Sequence, residues 1–407
     1  MKNSFYTAAL AAMTASMGAT MSVPRAGNYP IEKNPGFGNV AVGQVQKRAT
    51  KDLGLPDDTL KTNCISIGFL PSEGDSASPR YTMAQINGAL GAQSSTYGWY
   101  AQITSSGFDG SQLLAVKEDI VASGAVFVAS VMPSIDFSAV TEDVAKQVAS
   151  VMKQFTDAGV TVWLRYAHEM NWYVTDGTYH GDASSFQTSW KNIYNAACKG
   201  NDKVSCFWSP NQAGSVSDLQ PWWPGEEYVD LVGIDCYPRS GDDTSSNELF
   251  DRFYGGFYDA FSKPYGLPFA IGETGAGTGQ KVQWLKTLVN QKEKYPNYVS
   301  MSWFEFDKEA DFRIVMTDAG TLSQTKDILL AGGNDQCGGS GNGTTPPPQT
   351  QNPAPSATSK PAASGTSQPV SSPTNSGAGC DWGCWGWDCS ASVPCQEPWT
   401  CKGGYCK

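Results

Sequence analysis

Between Cys64 and Cys337 the chain switches, eight times over, from a short apolar run rich in β-branched and aromatic residues to a stretch with helical periodicity. Alternation of this kind belongs to a parallel sheet, because parallel neighbours need a long crossover, usually a helix, to return the chain. The strand candidates are ISIGFLP from Ile65, STYGWYAQI from Ser95, AVFVASVMP from Ala125, VTVWLRYAHEMN from Val160, KVSCFWSPN from Lys203, YVDLVGIDCY from Tyr228, PFAIGETG from Pro268 and YVSMSWFEF from Tyr298. Among the intervening segments, AVTEDVAKQVASVMKQFTDAG carries an apolar stripe of Val144, Val148, Val151, Met152 and Phe155, with Gly159 as its stop. Eight units in about 270 residues match a (β/α)8 TIM barrel. A doubly wound sheet would want a glycine-rich phosphate turn after its first strand, and Gly68-Phe69-Leu70-Pro71 is not one.

In a barrel of this type chemistry sits at the carboxyl ends of the strands. The fourth run closes with Arg165-Tyr166-Ala167-His168-Glu169-Met170-Asn171-Trp172-Tyr173 and the seventh with Ile271-Gly272-Glu273-Thr274-Gly275, so each brings a glutamate to the mouth. Two facing carboxyl groups can break an acetal between them, one giving a proton to the leaving oxygen while the other attacks the anomeric carbon. The roles require opposite environments, one keeping its acid protonated and the other keeping its carboxylate ionised. Period-two alternation puts Arg165 on the same strand face as Glu169, aimed into the barrel toward an acid. Neither HExxH nor a cysteine–histidine cluster occurs and His180 stands alone in a loop, so no metal and no cofactor is expected.

With these residues in view, WLRYAHEMNWY (Trp163–Tyr173), FWSPN at Phe207, VGIDCY at Val232, IGETG at Ile271 and SWF at Ser302 make the chain similar to glycoside hydrolase family 26 over most of the Cys64–Cys337 segment. The resemblance implies a retaining (β/α)8 hydrolase, most often an endo-β-1,4-mannanase, with Glu169 as acid/base and Glu273 as nucleophile. It also implies that His168 orients a carboxylate or a sugar hydroxyl and that Tyr237 donates to Glu273. Trp303 would stack beneath the sugar at the cleavage point, and Trp172 would line the cleft. The chain departs from the family pattern where a glycine commonly follows HEMN: Trp172 comes directly, and the loop DGTYHGDASS is its own. That departure bears on which polymer fits; a β-1,3- or mixed-linkage glucanase keeps the same chemistry, and a catalytically dead wall-binding barrel is the non-enzymatic alternative.

Outside the barrel the composition changes. Residues 1–21 read as a secretory signal and 22–48 as a propeptide ending at Lys47-Arg48, so the catalytic domain is expected over 49–337 and the protein outside the cell. Residues 338–379 are a Ser/Thr/Pro/Gly linker suited to O-linked sugar, with Asn342-Gly343-Thr344 as an N-glycan acceptor. The last 28 residues hold six of the eleven cysteines together with Trp382, Trp385, Trp387 and Trp399. So small a module leans on disulfides and must leave several rings in solvent, where they can stack on sugars and tether the enzyme to an insoluble wall polymer. Among the other five cysteines, bridges Cys198–Cys206 and Cys64–Cys337 are expected, with Cys236 free and buried. A net charge of −11 without a basic stripe argues against nucleic acid, and no other apolar run approaches a membrane span. The expected partner is a polysaccharide, and the expected state a monomer.

Overall fold

A computed structural model describes residues 51–74, 79–308 and 310–331, together with the backbone of 401–402 and 405–406. The leader, the dibasic site, the linker, Cys337 and the four tail tryptophans lie outside the described residues. The chain divides into two units, Met1–Cys337 and Gly338–Lys407. In the second, Cys401–Lys402 and Tyr405–Cys406 form a two-stranded antiparallel pair.

All eight apolar runs become strands: β1 (Ile65–Pro71), β2 (Thr96–Ile103), β3 (Val126–Pro133), β4 (Val162–Tyr166), β5 (Val204–Trp208), β6 (Leu231–Gly233), β7 (Phe269–Thr274) and β8 (Tyr298–Glu305). Each pairs in parallel with its sequence neighbour, and β1 pairs with β8 from Ser66↔Ser300 to Pro71↔Glu305, which closes the cylinder. A two-residue strand, Lys61–Thr62, adds to β1 from outside in antiparallel fashion. The outer layer is helical. Helix Glu142–Thr156 starts from a Thr141 cap and buries Ala145, Val148, Val151, Met152 and Phe155, while Val144 is half-buried at the edge of that stripe. Cys198, at the end of the helical segment that follows β4, is bonded to Cys206 in β5, and Cys236 is free and buried. Cys64 is also disulfide-bonded. The return after β5 is made only of short turns, Val216–Leu219, Gln220–Trp222 and Glu226–Tyr228. No helix among the described residues is long and apolar enough to cross a membrane.

Strand alternation sends every second side chain into the lumen. Toward the amino ends these are apolar: Val126, Val128, Trp163, Phe207, Leu231 and Ala270, closed off by Leu53, whose carbonyl accepts the Trp163 indole N–H at 2.9 Å. Further along the same faces they turn polar: Ser130, Arg165, Ser209 and Asp235, all buried. Gly272 belongs to this polar layer because nothing larger fits. A Cβ there would lie 2.5 Å from Asp235 Oδ1, 2.6 Å from Ser209 Oγ and 2.9 Å from Arg165 Nε.

Gly272→Ala is therefore expected to destabilise the barrel by about 1–3 kcal/mol, the usual range for overpacking. Gly88→Ala, inside helix Met83–Leu90 with nothing within 4 Å of the new methyl, is the control and should be unchanged or slightly more stable, since alanine is the better helix former. Denaturant unfolding of the two variants is the check, and equal midpoints would contradict the packing described.

Candidate active site

Two irregularities of the backbone aim the two glutamates. β4 stops at Tyr166, short of the Asn171 to which the apolar run extended. Ala167 and Glu169 then take positive φ values of 46° and 53°, and a helix begins at once over Met170–Asp176. Such a conformation is uncommon for residues with a Cβ and persists only where neighbours over-determine it. Here the Glu169 N–H donates to the Ser209 carbonyl at 2.8 Å, and the Glu169 carbonyl accepts from Trp172 and Tyr173, each at 2.9 Å. Asn171 and Asn211 exchange two further bonds, side-chain amide to carbonyl at 3.0 Å and main-chain N–H to side-chain oxygen at 2.9 Å. Strand alternation thus ends before Glu169 and cannot relate it to Arg165, contrary to the expectation; the turn, not the pleat, brings Glu169 inward. On β7, Gly272 faces the lumen, so strict alternation would point Glu273 away. A register shift between Ile271 and Thr274 turns it toward the lumen instead.

The side chains meet around Arg165. Its guanidinium is fully buried and pairs with Glu273 through Nη1 and with Asp235 through Nη2. Ser209 Oγ accepts from Nη2 at 3.1 Å, and Ser130 Oγ from Nη1 at 3.3 Å. Asp235 Oδ1 accepts both the Ser209 hydroxyl at 3.0 Å and the Glu273 main-chain N–H at 2.9 Å. The Tyr237 hydroxyl donates to Glu273 Oε2 at 3.2 Å, as expected, and His168 Nε2 lies 3.7 Å from Glu273 Oε1. One carboxylate oxygen each from Glu169, Asp235 and Glu273 lies within 4.8 Å of the others. This is the one carboxylate, cysteine or histidine set among the described residues with metal-ligand spacing, and Arg165 already supplies the positive charge it shares.

One guanidinium facing three carboxyl groups makes their ionisations compete. Burial pushes Glu273 upward, but the Arg165 charge, His168 and hydrogen bonds from Tyr100 and Arg165 outweigh it and hold the carboxyl below its ordinary range. Burial drives Glu169 well above that range, and the charges of Asp235 and Glu273 add to the effect against Asn211 and Arg165. Both Glu169 oxygens are buried without a hydrogen-bond partner among the described residues. Burial also raises Asp235, to about 7, with Arg165 opposing and Glu273 reinforcing. His168 is lowered to about 3 by burial and the Arg165 charge, so its ring is neutral near pH 7. The site therefore drives its two glutamates apart, Glu273 toward the carboxylate and Glu169 toward the protonated form.

Of the residues singled out in the sequence, Glu169, Glu273, His168 and Tyr237 come together here. Trp172 is half-buried on the helix that follows Glu169. Trp303 is fully buried in the main core, with its indole N–H donating to the Phe312 carbonyl at 2.8 Å. Asp235, Tyr100 and Ser209 received no role from the sequence, although an acid inside the apolar run VGIDCY was a signal for the first of them.

Fold and site define a (β/α)8 barrel with two buried glutamates at the carboxyl end of its strands, driven toward opposite ionisation. A model of glycosyl hydrolase family 26 matches residues 94–317, more than half of the chain, and the chain belongs to that family. It is 25% identical over 170 residues to mannan endo-1,4-beta-mannosidase A and B of Caldalkalibacillus mannanilyticus, covering 39% of this chain and 30% of that one. It is 27% identical over 165 residues to a mannan endo-1,4-beta-mannosidase of Bacillus subtilis, covering 38% and 42%. The match thus spans less than half the length of either relative. A GH26 beta-mannanase from Bacteroides ovatus shares the fold, with a TM-score of 0.50 and 19% identity over 66% of this chain and 88% of that one.

Arg165→Met is expected to cost about 3–5 kcal/mol, because it leaves Asp235 and Glu273 buried without their counter-charge. Urea unfolding checks this. A variant as stable as the parent would mean that the carboxylates do not depend on Arg165.

Proposed function

We propose that the protein is a retaining endo-glycosidase that cleaves β-1,4-mannan. The observation that carries this reading is the close approach of Glu169 and Glu273, with nearest oxygens under 4.8 Å apart and ionisations driven in opposite directions. Retaining hydrolases use carboxyl groups about 5–5.5 Å apart, whereas inversion needs about 6.5–9.5 Å to admit a water. In the first step Glu273 attacks the anomeric carbon while Glu169 passes its proton to the glycosidic oxygen, and the carbon–oxygen bond to the leaving sugar breaks. Glu169, now ionised, takes a proton from water, which attacks the same carbon and releases Glu273 from the ester. The Tyr237 hydroxyl holds the Glu273 carboxylate in place, with the neutral ring of His168 beside it. Arg165 keeps it ionised.

Mannan is favoured by the family and by the names of the two sequence relatives. Secretion follows from the leader, and action on insoluble polymer from the tryptophan-rich tail. Trp172 would line the cleft, whereas Trp303, paired in register with Phe69 and fully buried against the outer layer, packs as a core residue and not beneath a sugar.

Reducing-sugar release from a panel of mannans, β-glucans and xylans tests the substrate: mannan is expected to be cut fastest. Preference for a β-glucan would move the specificity, and cleavage of none would leave a wall-binding barrel. Proton NMR of the first product is expected to show retained configuration; inversion would remove Glu273 from the nucleophile's role.

The pH dependence has a fixed sign. kcat/KM should fall in acid as Glu273 protonates, with a midpoint below the ordinary carboxylate value, and should fall in alkali as Glu169 deprotonates, with a midpoint well above it. A profile on an activated aryl glycoside should lose the alkaline limb in Glu169→Gln. Retention of that limb would count against Glu169 as the acid.

A further inference from the structure

Four tyrosines surround the two glutamates: Tyr100 on β2, Tyr173 on the helix after β4, Tyr179 in the loop beyond it and Tyr237 after β6. They sort by the charge that acts most strongly on each hydroxyl. For Tyr100 and Tyr237 it is Glu273. For Tyr173 and Tyr179 it is Glu169. Hydrogen bonds place them likewise: the Tyr237 hydroxyl donates to Glu273 Oε2, whereas the Tyr173 N–H donates to the Glu169 carbonyl and the Tyr179 N–H to the Tyr173 carbonyl, so Tyr237 belongs to the side where the ester forms and Tyr173 and Tyr179 to the side where the proton is delivered.

Tyr179 differs from the residues on the Glu273 side in what its hydroxyl does. Tyr237 is engaged by Glu273 at 3.2 Å, whereas the Tyr179 hydroxyl is buried with no hydrogen-bond partner among the described residues. The residue is nonetheless held firmly. Its N–H donates to the Tyr173 carbonyl at 2.9 Å, and its ring packs against Tyr173 at 5.0 Å and Phe137 at 5.8 Å between centroids. The next residue, His180, accepts the Phe137 N–H at 2.9 Å through its carbonyl, which ties the loop to the segment after β3. A buried phenol without a partner has given up its hydrogen bond to water for nothing in return, and is unfavourable for that reason. A rigid loop that carries such a penalty is suited to a ligand that brings hydroxyl groups. The loop is also DGTYHGDASS, the stretch in which this chain departs from the pattern of the family it resembles.

We propose that Tyr179 contacts the departing sugar, its hydroxyl pairing with a hydroxyl group of the residue whose glycosidic oxygen Glu169 protonates. The assignment rests on Glu169 being the acid, and it makes Tyr179 a specificity-determining contact on the leaving-group side. It concerns binding alone, since no bond to Tyr179 forms or breaks.

Tyr179→Phe tests it against two substrates that differ in what leaves. On β-1,4-manno-oligosaccharides, or those of whichever polymer the enzyme prefers, kcat/KM is expected to fall roughly five- to tenfold, the worth of one lost hydrogen bond. On the matching 4-nitrophenyl glycoside, whose leaving phenol carries no such hydroxyl, it should stay within about twofold. Transfer from that aryl glycoside to an added acceptor sugar should drop in the same proportion as oligosaccharide cleavage, because the acceptor enters where the leaving sugar departed. Equal losses on both substrates, or no loss on the oligosaccharide, would overturn the assignment. Should the variant fail to fold, the parent enzyme can be given oligosaccharides singly deoxygenated in the leaving sugar. One position is expected to lose the same factor, and the absence of any such position would overturn the proposal. A parent enzyme inert on both substrate types would instead bring down the glycosidase reading on which Tyr179 depends.

Discussion

A single guanidinium in the lumen organises the mouth of this barrel. Arg165 is wholly buried, and burying a cation is tolerable only where anions and hydrogen-bond acceptors surround it. Ser130 and Glu273 do so from β3 and β7, and Ser209 and Asp235 from just beyond β5 and β6. The same contacts decide the chemistry. The glutamate in ionic contact with Arg165 is drawn toward ionisation, whereas Glu169, deprived of water and facing two acids, is driven toward the protonated form. Asp235 links the two effects: it braces the Glu273 backbone, shares Arg165 with it and adds negative potential beside Glu169.

Regular strands alone would not assemble this arrangement. Glu169 reaches the site through a turn with two residues in the left-handed region, and Glu273 through a break in strand register. Each irregularity is braced by hydrogen bonds from a neighbouring element, the first by Ser209 and Asn211 beyond β5 and the second by Asp235 beyond β6. The apolar lower lumen, plugged by Leu53, gives the rigid base on which such local strain can persist.

Much of this was legible in the chain. The eight apolar runs announced eight strands because buried parallel strands must be nearly continuous hydrophobic segments. Cys198 and Cys206 were close enough in sequence to read as a bridge, and the placement of both glutamates and of Tyr237 followed from strand ends and family motifs. What escaped had physical causes. A change of register leaves no periodic trace, so alternation would have sent Glu273 outward. The apolar run through Ala167 concealed the end of β4, since a buried turn and a buried strand are equally hydrophobic. Asp235 was passed over inside a run that otherwise read as core. The weight of Tyr179 depends on a loop whose course no local pattern encodes.

The central claim is that Arg165 keeps Glu273 ionised while burial keeps its neighbour Glu169 protonated. Carbon-13 NMR of glutamate labelled at the side-chain carboxyl, assigned with Glu169→Gln and Glu273→Gln and titrated from acid to alkali, reads both states in one experiment. The account expects the Glu273 resonance to reach its carboxylate position below the ordinary glutamate pKa of 4.5 and the Glu169 resonance to keep its carboxylic-acid position well beyond it. Joint titration near 4.5, or the opposite order, would contradict it.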